Sequence, residues 1–143
     1  MTKNLRILLV DDDETDRELF RTALEMASGN YQLAEAEHGE AALSLLEESK
    51  ELPHIIILDL NMPVKDGRET LKEIKSHPEY KTIPVCIMST SSAHFDIMNA
   101  YQQGANFFLM KPFGFDELKD MTGSLLRLFQ KYIFLPEGLK AGG

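Results

Sequence analysis

The chain has a single cysteine, Cys86, among its 143 residues, which excludes an internal disulfide and any cysteine-based metal cluster. Its place inside an apolar run marks it as a small buried filler. Long hydrophobic runs are missing too: the N-terminal one, Leu5 to Val10, stops on three acids and is too short and wrongly flanked for a signal peptide or a membrane span. Positive charge is scarce, with 15 Lys and Arg against 23 Asp and Glu and a formal net charge of −8. That balance opposes nucleic acid and anionic membrane, whose phosphates require clustered cations. There is no low-complexity tract and no Pro/Gly-rich linker, so extended disorder is not expected. Neither a Gly-x-x-x-x-Gly-Lys loop nor a Gly-rich dinucleotide turn occurs, so the chain is not expected to hold a nucleotide itself. These features together describe a cytoplasmic protein.

What is present is a repeating alternation. With 43% hydrophobic residues the chain can bury one substantial core, and its length suits one domain. Short runs rich in Ile and Val alternate with segments of helical period, the pattern of βα units around a parallel sheet. The strands are read as Leu5 to Val10, Tyr31 to Ala36, His54 to Leu58, Val85 to Ser89 and Asn106 to Met110. On the first helix Leu19, Phe20, Ala23, Leu24 and Ala27 share a face, and on the second Ala42, Leu45 and Leu46 do. The third helix is predicted from about Gly67 to Ser76, ending before Pro78 with Leu71 and Ile74 inward. The fourth spans roughly Ala93 to Gln103 and is capped by Gly104. The fifth begins near Phe115 and carries Leu118, Met121, Leu125 and Leu128 inward, leaving Leu126 and Phe129 as a contact surface. Right-handed crossovers place helices on both faces of the sheet, giving a doubly wound α/β fold with five strands and five helices.

Four of the strands end on polar groups. The first runs into Asp11, Asp12 and Asp13, the third into Asp59 and Asn61, the fourth ends on Ser89, and the fifth runs into Lys111. In open α/β sheets, ligands bind beyond the carboxyl ends of the strands. Carboxylates gathered on one rim repel one another unless a proton or a cation intervenes. An all-oxygen set without His or Cys selects a hard ion, and a shallow, hydrated site suits Mg²⁺. With Lys111 as a movable cation and Ser89 as a hydroxyl donor, the set fits phosphoryl transfer, where a carboxylate can be the nucleophile.

Val10-Asp11-Asp12, Leu58-Asp59-Leu60-Asn61-Met62-Pro63 with Asp66-Gly67, Ser89, and Lys111-Pro112-Phe113 resemble the signature of the receiver domain of two-component response regulators. The likeness extends over about residues 5–130, with residues 131–143 left as a C-terminal tail. It implies the CheY-like, flavodoxin-like strand order 2-1-3-4-5. It implies also that Asp59 accepts a phosphoryl group from a histidine kinase or phosphotransfer protein. On the same likeness Asp12, Asp59 and the backbone carbonyl of Asn61 hold Mg²⁺, Asp11 acts mainly through water, and Ser89 and Lys111 bind the phosphoryl oxygens. The family often has a cis Lys–Pro bond at the place of Lys111 and Pro112, which would aim the lysine. Asp66 to Leu71, His77-Pro78 and Ser89-Thr90-Ser91 resemble more narrowly the stand-alone regulators that partner phytochrome-type kinases. Two positions depart from the family's habit. Phe108 stands where a tyrosine is frequent and can switch only by packing, and Thr90 is bulkier than the usual Ala or Gly, which is expected to slow loss of the phosphoryl group.

Simpler readings exist for several of these residues. Asp13 is read as the N-cap of the first helix, Ser89 to Ser92 offer caps for the fourth, and an isolated lysine such as Lys111 is ordinarily a solvated surface group. His38, His54, His77 and His94 show no metal-ligand spacing and are read as surface or loop residues. Two other functional classes remain open at this level. A flavodoxin-like module could bind flavin, although rim acids would repel its phosphate; an aspartyl-phosphate hydrolase would need a second acid where Asn61 stands. Output is expected through contact with a downstream protein, on the fourth helix, fifth strand and fifth helix, with the apolar tail Tyr132 to Leu135 either crossing to a second subunit in a homodimer or folding back.

Overall fold

The computed structural model describes residues 4–62 and 66–136. Pro63 and tail residues 137–143, both named in the sequence readings, lie outside them. The elements alternate as β1 (Leu5–Val10), α1 (Glu14–Glu25), β2 (Tyr31–Ala36), α2 (Gly39–Glu48), β3 (Ile55–Asp59), α3 (Gly67–Ser76), β4 (Val85–Ser89), α4 (His94–Gln102), β5 (Phe107–Met110) and α5 (Phe115–Lys131). The sheet is parallel throughout with order β2-β1-β3-β4-β5, the doubly wound arrangement expected above. The chain winds outward from β1 in one direction to β2 and in the other to β3, so the order reverses between β1 and β3. That is where an open α/β sheet splays its strand-to-helix loops apart and leaves a crevice.

The central strands β1, β3 and β4 read as nearly continuous apolar runs because both of their faces are covered. Alternate residues supply two separate cores. Leu8, Val10, Ile56, Leu58, Val85 and Ile87 face α2, α3 and α4 through Ala42, Leu46, Leu71, Ile74 and Ala100. Leu5, Ile7, Leu9, Ile55, Ile57, Cys86 and Met88 face α1 and α5 through Phe20, Leu24, Leu126 and Phe129. Cys86 is the filler the sequence suggested: it is fully buried and desolvation pushes its thiol up to about 12.

The inward face of α5 differs from the one read from the sequence. Leu126 and Phe129 are each 1% exposed, whereas Leu128 is 45% exposed. Leu118, Met121 and Leu125 are only partly buried beside them. The 118, 122, 126, 129 series follows a 3.6-residue period more closely than a stripe ending at 128, and Thr122, fully buried, belongs to it. Leu19 likewise turns out of the α1 face and is exposed, leaving Phe20, Ala23 and Leu24 as its buried residues.

Ends and turns have local causes. Asp13 is the N-cap of α1, its carboxylate accepting from the Asp16 N–H at 3.0 Å. His38 caps α2 by accepting from the Ala41 N–H at 3.1 Å, and His54 accepts from the Arg6 N–H at 2.9 Å, so these two imidazoles serve the backbone. Gly104 ends α4 with φ +103°, a left-handed conformation that glycine adopts without strain. Gly67 has a different reason: a Cβ there would overlap the Asp59 carbonyl and the Leu60 Cα, so α3 seats directly against the backbone of the β3 end.

The corrected α5 face is open to test. Phe129→Ala is expected to lower stability by about 3–5 kcal/mol, and Leu128→Ala by about 0.5 kcal/mol or less, measured by urea unfolding. A larger loss for Leu128→Ala would restore the face read from the sequence.

Candidate functional site

Register brings the rim groups together. β1 and β3 pair as far as Val10 with Leu58, so Asp11 and Asp59 continue neighbouring strands, which in a parallel sheet lie about 4.8 Å apart. On the next strand Asp59 pairs with Met88, so Ser89 projects one residue further, and Ser89 in turn pairs with Met110. Lys111 then leaves β5 with its N–H donating to the Ser89 carbonyl at 2.8 Å. Four side chains, one from the end of each of four strands, thus converge on one crevice.

Asp11 is 2% exposed and Asp12, one residue on, is exposed. Ligand oxygens from Asp11, Asp12 and Asp59 all lie within 4.8 Å of one another. Asn61 is exposed, and its N–H donates to Asp59 Oδ1 at 3.3 Å. The Lys111 ammonium reaches across the cluster, donating to Asp11 Oδ2 at 3.1 Å, and it also lies 2.8 Å from Asp16 Oδ2 and 3.9 Å from Asp59 Oδ2.

The electrostatics follow from that geometry. Burial pushes the Asp59 carboxyl up to about 6 against the pull of Lys111, with the charges of Asp11 and Asp12 adding to the rise. Burial likewise raises Asp11, opposed by the Asp13 N–H and by Lys111. For Lys111 burial acts to lower the pKa, but the hydrogen bond to Asp16 and the nearby Asp11 and Asp59 outweigh it and the ammonium is stabilised. One lysine therefore does not neutralise the cluster. A compact all-oxygen set left with uncompensated negative charge suits a hard divalent cation that keeps part of its water shell.

Ser89 is fully buried, its Oγ accepting from the Ser91 N–H at 3.1 Å. Thr90 is exposed on the rim beside it. Phe108 is half-buried against the α2–α4 core, and its N–H donates to the Tyr101 hydroxyl at 3.2 Å. Among the described residues no peptide bond is cis, so the Lys111–Pro112 bond is trans, unlike the isomer that the resemblance suggested.

Two groups at the site escaped the sequence reading. Asp16 lies in the first turn of α1, where an acid also suits the helix dipole, and only its distance to Lys111 sets it apart. The second is a polar chain behind Ser89. Ser91 Oγ donates to Asp96 Oδ2 at 2.6 Å, and Arg68 donates to Asp96 Oδ1 at 3.2 Å and pairs with Asp66 at 3.3 Å. The Ser91 and Arg68 hydrogen bonds hold the Asp96 carboxyl below its usual range. Its members are scattered over residues 66–96, so no local motif announces it.

A parallel sheet of this order with acids at its switch point and a lysine after β5 defines a phosphoryl-responsive signalling fold, and residues 7–122 match the response regulator receiver domain family. The chain belongs to that family. It is 34% identical over 135 residues to response regulator Rcp1 of Synechocystis sp., covering 91% of this chain and 92% of that protein. It is 30% identical over 122 residues to a chemotaxis protein CheY homologue of Campylobacter jejuni, covering 85% and 92%. Among solved structures, the Mn²⁺-bound form of Rcp1 superposes with a TM-score of 0.83 at 33% identity, covering 92% of this chain and 99% of that one. The phosphorylated cyanobacterial phytochrome response regulator RcpA superposes with a TM-score of 0.87 at 31% identity, covering 94% and 100%.

The raised Asp59 pKa has a stability consequence with a definite sign. Its folded value of about 6 exceeds the ordinary 3.8, so the native state holds the extra proton and stability falls as pH rises from about 4 to 6. Asp59→Asn lacks this penalty. In metal-free thermal unfolding at pH 7 the variant is expected to exceed the wild type by roughly 1–3 kcal/mol, with the gap closing below about pH 4. A gap that persists at the acid end would place the effect elsewhere.

Proposed function

We propose that the protein is a single-domain response regulator that accepts a phosphoryl group on Asp59 from a histidine kinase or phosphotransfer protein, in the cytoplasm, as one step of a phosphorelay. The observation that carries this reading is the convergence of Asp11, Asp12, Asp59, Ser89 and Lys111 at the carboxyl ends of neighbouring strands. The likeness to phosphorylated RcpA supports the acceptor, and that protein's description as a phytochrome response regulator favours a phytochrome-type kinase as donor.

Asp12, Asp59 and the Asn61 carbonyl would hold Mg²⁺, with Asp11 acting through water; the Mn²⁺ bound by Rcp1 and the acidic cluster here support a divalent ion. Such an ion supplies charge neutralisation on the transferring group. An Asp59 oxygen attacks phosphorus as the P–N bond to the donor imidazole breaks, and the bond electrons leave with that nitrogen, which takes up a proton. Lys111 and Ser89 then face the new phosphoryl oxygens, the one with a charge and the other with a hydroxyl donor. Hydrolysis reverses the gain when water attacks the same phosphorus. The protein thus catalyses its own phosphorylation and dephosphorylation and turns over no separate substrate. Asn61 at the second position after Asp59 leaves no carboxylate there to act as the acid of a phosphohydrolase.

The message would leave by packing. A phosphoryl oxygen drawing Ser89 inward breaks its bond from the Ser91 N–H, and Phe108, half-buried beside β4, fills the space that opens. Thr90, on the rim, shields the phosphoryl group from water. With acetyl phosphate and Mg²⁺, intact mass is expected to show one phosphoryl adduct on the wild type and none on Asp59→Asn, and the adduct is expected to decay faster in Thr90→Ala. An adduct that survives Asp59→Asn would overturn the assignment of the acceptor.

Residues 131–143 are proposed as a tail appended to a receiver domain of residues 1–130 and used in partner contact. The tail alternates: Ile133 and Leu135 pack against the α1–α5 core, while Tyr132 and Phe134 are 70% and 98% exposed. The inward pair supports folding back, and the outward pair remains available to a second copy or a downstream protein; Phe95 and Met98 on α4 and Phe107 and Met110 on β5 form a separate set of exposed apolar residues. Sedimentation of the full chain is expected to show a dimer that Phe134→Ser weakens. A monomer for both would leave the downstream protein as the tail's partner.

A further inference from the structure

Lys111 has three N–H donors and, among the described residues, three carboxylates around it. Its shortest partner is Asp16 at 2.8 Å, then Asp11 at 3.1 Å, while Asp59 at 3.9 Å is an ion pair beyond hydrogen-bond range. Asp11 and Asp59 belong to the acidic cluster suited to a cation, and a cation there would repel the ammonium from both. Asp16 is the one of the three outside that cluster. It is also well fixed: its N–H is held by the Asp13 carboxylate at 3.0 Å, and the next residue, Arg17, donates to the Asp11 carbonyl at 2.8 Å. A cavity of about 110 Å³ lined by Asp11, Asp16, Leu19, Met88, Lys111 and Pro112 adjoins the lysine on its Asp16 side, so the ammonium is not wedged against Asp16 by packing.

We infer that Asp16 is a positioning residue that holds Lys111 back from Asp59 until a phosphoryl group competes for the ammonium. The inference rests on the reading of Asp59 as acceptor. Taking Lys111 from Asp16 costs the phosphorylated state one partly exposed ion pair, so the contact sets how readily that state forms without touching the reacting atoms. A purely structural alternative exists, since acids in the first turn of a helix suit its dipole. Glu14 shares that turn and is not among the carboxylates paired with Lys111, so it serves as the control.

The test is a titration with beryllofluoride, a phosphoryl mimic that caps a carboxylate oxygen, in the presence of Mg²⁺ and followed by fluorine NMR. Asp16→Asn is expected to bind about two- to fivefold more tightly than the wild type, the range of a partly exposed ion pair. Asp16→Glu, which keeps the carboxylate, and Glu14→Gln are expected to stay near the wild type. A crystal structure of Asp16→Asn without the mimic is expected to show Lys111 Nζ within hydrogen-bond distance of Asp59. Wild-type affinity in Asp16→Asn, or an equal gain in Glu14→Gln, overturns the inference. Absence of a wild-type signal beyond that of Asp59→Asn overturns the acceptor reading and this inference together, whereas a bound wild type with an unchanged Asp16→Asn overturns only the role of Asp16.

Discussion

Like charges at the ends of adjacent strands repel, and the rest of the site is arranged around that cost. Asp11 and Asp59 are set side by side by the β1–β3 register, both in surroundings that disfavour their charged forms. Lys111 is the neighbour that partly compensates them, and it is shared with Asp16. The remaining imbalance is what gives the cluster its chemistry. A site fully neutralised by its own side chains would have little to gain from a cation or from an incoming phosphoryl group, whereas this one has excess negative charge and a lysine free to change partners.

The sheet makes that arrangement rigid. Both faces of β1, β3 and β4 are packed, so these strands cannot slip by one residue without turning a row of Ile and Leu side chains to the wrong core. The positions of Asp59, Ser89 and Lys111 inherit that precision from Leu58, Met88 and Met110. Gly67 adds to it from outside by letting α3 abut the Asp59 carbonyl, where any side chain would push the end of β3 away. The groups proposed to move lie at the rim: the lysine stem, Ser89, linked through Ser91 to Asp96 and Arg68, and Phe108 on the edge strand. Tyr101 accepts from the Phe108 N–H, so α4 and β5 are joined at the place where a hydroxyl on residue 108 itself is lacking.

Much of this was legible in the chain. Strand and helix order, the buried runs, the caps at Asp13 and Gly104, and the acids, hydroxyl and lysine at strand ends all follow from short-range patterns. Period, capping and turn chemistry act over a few residues, and a run buried on both sides has a composition that shows without its neighbours. The α5 face was misassigned because Leu126, Phe129 and Leu128 are equally apolar in the sequence. The 3.6-residue period favours the Leu126 and Phe129 side, and packing against the sheet covers that side. Leu19 beside Phe20 is the same case on a smaller scale.

The sequence by itself determined that strands would end in a set of groups fit for phosphoryl chemistry, since residue type and order along the chain are sufficient for that. The tertiary structure alone decided how those groups share charge. The contact of Lys111 with Asp16, nearly a hundred positions away, and the link from Ser91 through Asp96 to Arg68 depend on which elements are adjacent in space. Coulomb and hydrogen-bond energies depend on distance, and distance across a fold is not written in local sequence.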